Sequence, residues 1–517
     1  MRALVLGVGI VACAACLCAP APECVGPEDC AGRACVDGVC AQRPDAGVVV
    51  VVSGGGVGGG GTAGTGGGSG ASGGAGGGVV IPPCELNHTG SIAGTVTEPS
   101  GRLGLPNVMV FIPTVGLEDF PVGPATRCPG CDDDITGRPS KSTVSTVTGT
   151  FQLDDVPTGR TRLVFQTGRW RREVEVMVSE CTTNSLSASV THLPRSRAEG
   201  DLPRFALVTG AADPMECLLL KLGIAPSEFT TPDAGGRVQL YVNNGQLLDG
   251  GLPPESELLT TPDRLLQYDQ VLFPCRGAEA GRNSVERAAI GRFVDRGGRF
   301  FTTHYGYTWM EGEPFSQTAA WTPNFQFSAN DVVDPLTNFP KGAIYGQWLK
   351  QVAGISGRIP LVDPRYNVGS VKGSTIAWLG VPTRRMGPDT QWTAQLTFTT
   401  PLDAGVGCGR VAFSDFHVST NAVQVPIIPT CVNEPCPPVP PRPPFPENCL
   451  RSSFTDQEKV LVYLLFDLAT CAKNDRETPI ACAVETGTCS ATRGCCGDLR
   501  CLEAGEACDG GPCRCAP

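Results

Sequence analysis

The sequence predicts a multidomain chain: a β-sandwich, then an α/β domain built on a parallel sheet, with small disulfide-rich modules at both ends. Three observations predict it. Short runs rich in Val, Thr, Ile and Phe, broken by Gly and Pro, fill residues 84–181. From 203 to 471, apolar strands alternate with helical segments, the order of a parallel sheet covered on both faces. The chain has 26 Cys among 517 residues, bunched towards its ends, a usage that belongs to an oxidising compartment. A hydrophobic fraction of 41% supplies the cores that several domains need. The net charge of −11 argues against nucleic acid as a partner, because neutralising phosphate takes clustered Lys and Arg. Only Arg169, Arg171 and Arg172, around Trp170, approach such a cluster.

Residues 1–18, MRALVLGVGIVACAACLC, read as a signal peptide of lipoprotein type. One Arg precedes an apolar run of roughly ten residues, too short to span a bilayer and the length of a signal h-region. Ile10-Val11-Ala12-Cys13 resembles a bacterial lipobox, which implies lipidation at Cys13. Cys16 and Cys18 compete for that role, and ordinary cleavage near Ala19 or Ala21 would leave a secreted protein. Residues 19–44 carry Cys24, Cys30, Cys35 and Cys40 and form a small Cys-rich module. They hold no His and no Cys-x-x-Cys, so a metal finger is not indicated. Residues 45–80 are a Gly-rich disordered linker, because such a chain loses much backbone entropy on folding and buries nothing in return. The glycines lack the preceding strand and following Lys-Ser/Thr of a phosphate loop.

Residues 81–185 hold the expected sandwich strands SIAGTVT, NVMVFIP, GTFQLDDVP, TRLVFQTG and EVEVMVS. Gly94-Thr95-Val96, Leu105-Pro106-Asn107-Val108, Gly149, Phe151, Leu153 and Val156-Pro157-Thr158-Gly159 resemble the carboxypeptidase regulatory-like domain, a transthyretin-type sandwich. Such domains are generally non-enzymatic. An insertion near 115–142 carries Cys128 and Cys131, with Asp132 where a haem motif would have His. Cys84 before the first strand and Cys181 after the last are expected to be joined as a disulfide. His88 lies before the first strand, and His192 in a linker.

Residues 200–472 form the expected α/β domain. RFALVTG, RVQLYVNNG, YDQVLFPC, RFFTTHYG and GRVAFSDFHVS read as strands, and PMECLLLKLG as an apolar helix. A second helix opens with Asn283 as N-cap and Glu286 three residues on, and stops at Gly297-Gly298. A last helix opens with Thr455 and Glu458. In parallel sheets ligands gather at the C-terminal ends of strands, which here carry Gly210, Cys275, His304 and His417.

Three stretches of this segment resemble the class I glutamine amidotransferase-like fold: Tyr268–Pro274, the run from Phe293 through Arg299-Phe300-Phe301, and Thr302-Thr303-His304-Tyr305-Gly306. The last falls where that family writes Gly-x-Cys-x-Gly, and Asp415-Phe416-His417 falls where active members place a His. The chain departs from the pattern at the elbow, where His304 replaces the nucleophilic Cys and Thr302 the first Gly. Imidazole cannot form the required thioester, so glutaminase activity is not expected.

Cys275, beside Arg276, is a candidate nucleophile. Against this, Cys217 needs a partner in an oxidising compartment, and a Cys217–Cys275 bridge is the expected state. His304, His417 and Asp415 are weak metal candidates, set against a buried, hydrogen-bonded His pair. Tyr305, Tyr307, Trp309, Phe315, Trp321, Phe325 and Phe327 crowd one stretch, either lining a groove or packing a long loop onto its own domain. A Pro-rich excursion at 431–449 is stiff and solvent-facing. Residues 480–517, with Cys482, Cys489, Cys495, Cys496, Cys501, Cys508, Cys513 and Cys515, resemble knottin-like extracellular modules.

The layout resembles modular lipoproteins of bacteria, of the myxobacterial kind. It implies a non-enzymatic protein of the outer membrane or cell surface, held by a lipid anchor or secreted, binding envelope polysaccharide or protein without a cofactor. The alternatives are a hydrolase using the strand-end site near Cys275, His304 and His417, and a structural spacer.

Overall fold

The computed structural model describes residues 88–124, 135–245, 248, 251–322, 330–381, 392–402, 407–418, 445–449, 452–470 and 475–476, with short strands at 35–36, 39–40, 49–50, 488–489, 500–502 and 513–516. Two compact units are present, Met1–Pro44 and Asp45–Pro517. In the first, Cys35–Val36 pairs antiparallel with Val39–Cys40. The second is mostly β, in several sheets, with few helices. No helix among the described residues is long and apolar enough to cross a membrane. Cys13, Cys84, the Cys128–Cys131 pair and the 431–444 excursion lie outside the described residues.

Seven strands open the second unit: β1 (Thr89–Thr95), β2 (Met109–Pro113), β3 (Pro139–Val144), β4 (Thr150–Pro157), β5 (Gly159–Thr167), β6 (Trp170–Val178) and β7 (Thr183–Ser185). They form a sheet β7-β1-β4 and, with the Val49–Val50 strand at the β6 edge, a five-stranded sheet that continues β6-β5-β2-β3. Val49–Val50, within the stretch expected as a linker, pairs in parallel with Glu175 and Val176 of β6. Alternation decides what is buried: Val174, Val176 and Val178 of β6 turn inward, as do Phe151 and Leu153 of β4. The basic cluster is also turned inward. Arg169 pairs with Asp269 at 2.9 Å and Arg171 with Asp201 at 2.8 Å. Arg172 donates to the His192 carbonyl at 3.0 Å. His192 is therefore packed rather than in a free linker, with its Nδ1 2.8 Å from the Leu193 carbonyl.

The large sheet contains β8 (Phe205–Thr209), β9 (Phe229–Thr230), β10 (Val238–Val242), β11 (Gln270–Phe273) and β12 (Arg299–Thr303). A side ribbon pairs β13 (Ala319–Trp321) with β16 (Val368–Val371), while β14 (Asn330–Pro335), β15 (Ile359–Val362), β17 (Ile376–Val381), β18 (Trp392–Thr400) and β19 (Gly409–Ser414) complete the sheet. Its ten strands run β9-β10-β8-β11-β12-β19-β18-β17-β14-β15. From β9 to β19 all neighbours are parallel; beyond β19 all are antiparallel. The sheet is thus mixed and not purely parallel as expected. Strands β17, β18 and β19 follow one another in the chain and pair directly, which antiparallel strands do without a crossover helix.

The parallel part is buried on both faces. Leu207, Leu272, Phe301 and Ala412 join one core, whereas Ala206, Val271, Phe300 and Val411, one position away, join another. The helices are α1 (Ala188–Thr191), α2 (Met215–Lys221), α3 (Glu255–Thr260), α4 (Ser284–Asp295), α5 (Pro340–Gln351) and α6 (Asp456–Ala469). α4 and α6 open with the expected capping boxes, Asn283 with Glu286 and Thr455 with Glu458. The first core is continuous with that of the smaller sheets. Trp170 of β6 packs on Phe205 of β8 and Phe466 of α6, with ring centroids 6.1 and 5.5 Å away. Trp348 of α5 donates its indole N–H to the Gly104 carbonyl at 2.7 Å.

The expected Cys217–Cys275 bridge is not formed. Cys217 faces the core shared with the smaller sheets and is bonded to Cys449, Cα–Cα 5.2 Å away. Cys181 and Cys408 are also in disulfides, while Cys275 is free and buried. At the C-terminus, Cys513–Ala516 pairs antiparallel with Thr488–Cys489 and Arg500–Leu502. The disulfide pairing in this module lies outside the described residues.

Candidate functional site

Parallel strands β8, β11, β12 and β19 are neighbours, so their C-terminal ends lie along one edge. The segments leaving that edge carry Asp213, Cys275, His304 and His417. Two glycines let the segments close up. A Cβ on Gly210 would meet the Cys275 carbonyl oxygen at 2.5 Å, and one on Gly306 would meet Thr302 Oγ1 at 1.8 Å. At His304 the strand breaks into a 3₁₀ turn, His304–Trp309. His304 adopts φ 49°, the left-handed region that a non-glycine residue enters at a cost of about 1–3 kcal/mol.

Asp213 organises the centre. Its Oδ1 accepts from His417 Nδ1 at 2.8 Å and from the Val418 N–H at 2.9 Å. Its Oδ2 accepts from the Thr303 hydroxyl and, at 3.3 Å, from the Cys275 N–H. The Asp213 N–H returns a bond to the Cys275 carbonyl at 3.1 Å. A His417 nitrogen also lies within 4.8 Å of Cys275 Sγ. Cys275 Sγ lies 3.4 Å from His304 Nδ1 and accepts from the Gly277 N–H at 3.3 Å. The His304 and His417 rings stack at 3.9 Å with 16° between planes. One ligand atom from each of Cys275, His304 and His417 lies within 4.8 Å of the others.

The two imidazoles carry different charge. Burial holds His304 neutral, its pKa pulled down to about 2, with the neighbouring His417 and Arg365 acting in the same direction. Burial also opposes charge on His417, but the Asp213 carboxylate and Cys275 outweigh it and push the pKa up to about 11. On the rim, Arg365 lies over the Tyr305 ring at 4.3 Å, donates to its hydroxyl at 2.8 Å, and pairs with Glu279 at 3.6 Å.

Of the candidates read from sequence, Cys275, His304 and His417 converge and Asp415 does not. Its carboxylate accepts from the Asn367 N–H and Nδ2, both at 2.7 Å, and from the Trp392 indole at 3.0 Å. Burial raises its pKa to about 7. Asp213 is the acidic member that sequence reasoning missed. Its signal was an Asp four residues past the first strand of a parallel sheet, at the ligand-binding edge.

The aromatic run packs its own loop. Tyr307, Trp309 and Phe315 are fully buried. Trp309 lies against Phe273 and Phe300, Phe315 against Phe398, and Trp321 against Phe413. Phe325 and Phe327 lie outside the described residues.

No family model matches the chain, and no curated protein matches it. Among solved structures it is similar to a ThuA-like protein from Bacteroides uniformis, at 10% identity over 41% of this chain and 82% of that one, TM-score 0.24. It is similar to a cytoplasmic protein from Salmonella typhimurium, at 10% identity over 42% and 89%, TM-score 0.25. A cold-adapted β-galactosidase from Rahnella sp. R3 follows at 13% identity over 42% and 29%, TM-score 0.21. These are remote likenesses.

Proposed function

We propose that the chain is a thiol-dependent hydrolase of acyl or amide bonds, acting at the cell envelope. The observation that carries this reading is the gathering of a free thiol, an imidazole and a buried carboxylate: Cys275 Sγ lies within 4.8 Å of a His417 nitrogen, and Asp213 Oδ1 lies 2.8 Å from His417 Nδ1. In this reading His417 already holds the proton, so Cys275 attacks a carbonyl carbon as a thiolate paired with the His417 imidazolium. The tetrahedral adduct collapses to a thioester as His417 protonates the leaving amine or alcohol. Water then attacks the thioester, giving its proton to His417, and the acid leaves as the thiolate is re-formed. Asp213 holds the His417 ring and its tautomer through Nδ1. The disulfides support an extracytoplasmic setting. There a lipid anchor at Cys13, or secretion, brings the site to envelope polysaccharide or protein as substrate. The aromatic run gives a purely binding role little support, since Tyr307, Trp309 and Phe315 pack inward and only Tyr305 and Trp321 are half-buried.

The test uses the full chain with its disulfides intact, on a panel of activated esters and peptide amides, with intact-mass detection of acylated Cys275. Cys275→Ser is expected to abolish both turnover and acylation. Asp213→Asn is expected to lower turnover by about 10²–10⁴-fold. Turnover unchanged in Cys275→Ser would remove the reading.

A further inference from the structure

We propose that Cys275, His304 and His417 also form a binding site for a thiophilic divalent cation, zinc above all, that reversibly blocks the thiol. The block rests on the hydrolase reading; the binding does not. One sulfur and two imidazole nitrogens lie within 4.8 Å of one another, so side-chain shifts of about 1 Å would bring all three to zinc distances of about 2.0–2.3 Å. Thiolate and imidazole donors suit zinc and copper rather than magnesium or calcium. Three protein ligands would leave a fourth position open.

Two features beyond the donor set point the same way. Asp213 takes His417 Nδ1 at 2.8 Å, leaving Nε2 as the free donor; this is the carboxylate–histidine arrangement that orients metal ligands. The Gly277 N–H donates to Cys275 Sγ at 3.3 Å, a backbone contact that fixes where the sulfur sits. The redox pattern agrees, since Cys181, Cys217, Cys408 and Cys449 are all bridged while Cys275 keeps its thiol. Binding releases to solvent any proton on the sulfur or on the His nitrogen that becomes a ligand. The ion then occupies the same Sγ and imidazole that attack on a carbonyl requires, so zinc occupancy and thiol chemistry exclude one another.

The full chain, disulfides intact and stripped with a chelator, is titrated with Co²⁺ and followed by absorption. The expected result is a one-to-one endpoint with a thiolate-to-cobalt charge-transfer band and four-coordinate d–d bands, displaced by Zn²⁺. Cys275→Ser should lose the charge-transfer band. His304→Gln and His417→Gln should weaken Co²⁺ binding at least as much as Asp213→Asn, which is expected to cost about 10–100-fold. No such band in the wild-type chain at saturating Co²⁺, or an unchanged band in Cys275→Ser, overturns the site. The two readings part cleanly. Turnover by the metal-free chain with no cobalt band removes the metal and keeps the hydrolase. A cobalt band on a chain whose metal-free form turns over nothing does the reverse. With both present, turnover should fall in step with zinc occupancy, and turnover independent of zinc removes the block.

Discussion

Glu216 lies wholly buried on α2, and among the described residues neither carboxyl oxygen has a partner beyond its own backbone. Burial raises its pKa to about 8, and the nearby Asp213 carboxylate adds to the effect. A carboxyl whose folded pKa exceeds its unfolded value contributes stability fully below the unfolded value, near 4.5, and loses it as pH rises towards 8. Glu216→Gln should therefore leave stability unchanged at pH 4 and raise it at pH 8 by on the order of 2–4 kcal/mol. Urea unfolding at the two pH values checks this; equal shifts at both would contradict it. The same residue scale limits what can be read from sequence. Cys275, His304 and His417 were visible because each follows an apolar strand. Asp213 was not, because Ala-Ala-Asp-Pro before an apolar helix reads as a helix start, and only the folded sheet brings it beside His417. Asp415 looked the better acidic partner because it is close in sequence, yet Asn367 and Trp392 hold its carboxylate elsewhere.

Helix starts were legible because capping is local chemistry. Thr455 accepts from the Glu458 N–H at 3.1 Å, and Glu458 accepts from the Thr455 N–H at 2.8 Å. Glu458 also pairs with Lys221 of α2 at 2.8 Å, both side chains buried. Thr455→Ala should cost about 1 kcal/mol, since it removes a cap and leaves the ion pair in place. A loss several times larger, measured by chemical denaturation, would mean that the cap also positions the Lys221–Glu458 pair. Strands β17 and β18 were not read from the sequence. Their side chains, such as Trp378, Leu379, Trp392 and Leu396, are buried, so the period-2 signal of a half-exposed strand is weak there. The antiparallel extension of the sheet went unseen for the same reason.

At the scale of the whole second unit, the sandwich-like sheets and the large sheet share one core, although the sequence reads as separate domains. Composition marks where strands give way to helices, but not whether the two layers bury each other. Trp170 sits at the junction, so Trp170→Ala should cost about 3–5 kcal/mol. Calorimetry of the wild type should show a single transition for both layers; two well-separated transitions would mean that they fold independently. The Cys217–Cys449 bridge has a topological consequence. It closes a covalent ring with a sequence separation of 232. Cys275, His304 and His417 all lie within this ring, and Asp213 just outside it. A protease that nicks any one loop between Cys217 and Cys449 would open the polypeptide without releasing a fragment. The cut chain would still migrate as one molecule until reduced, with all four residues of the centre still covalently joined.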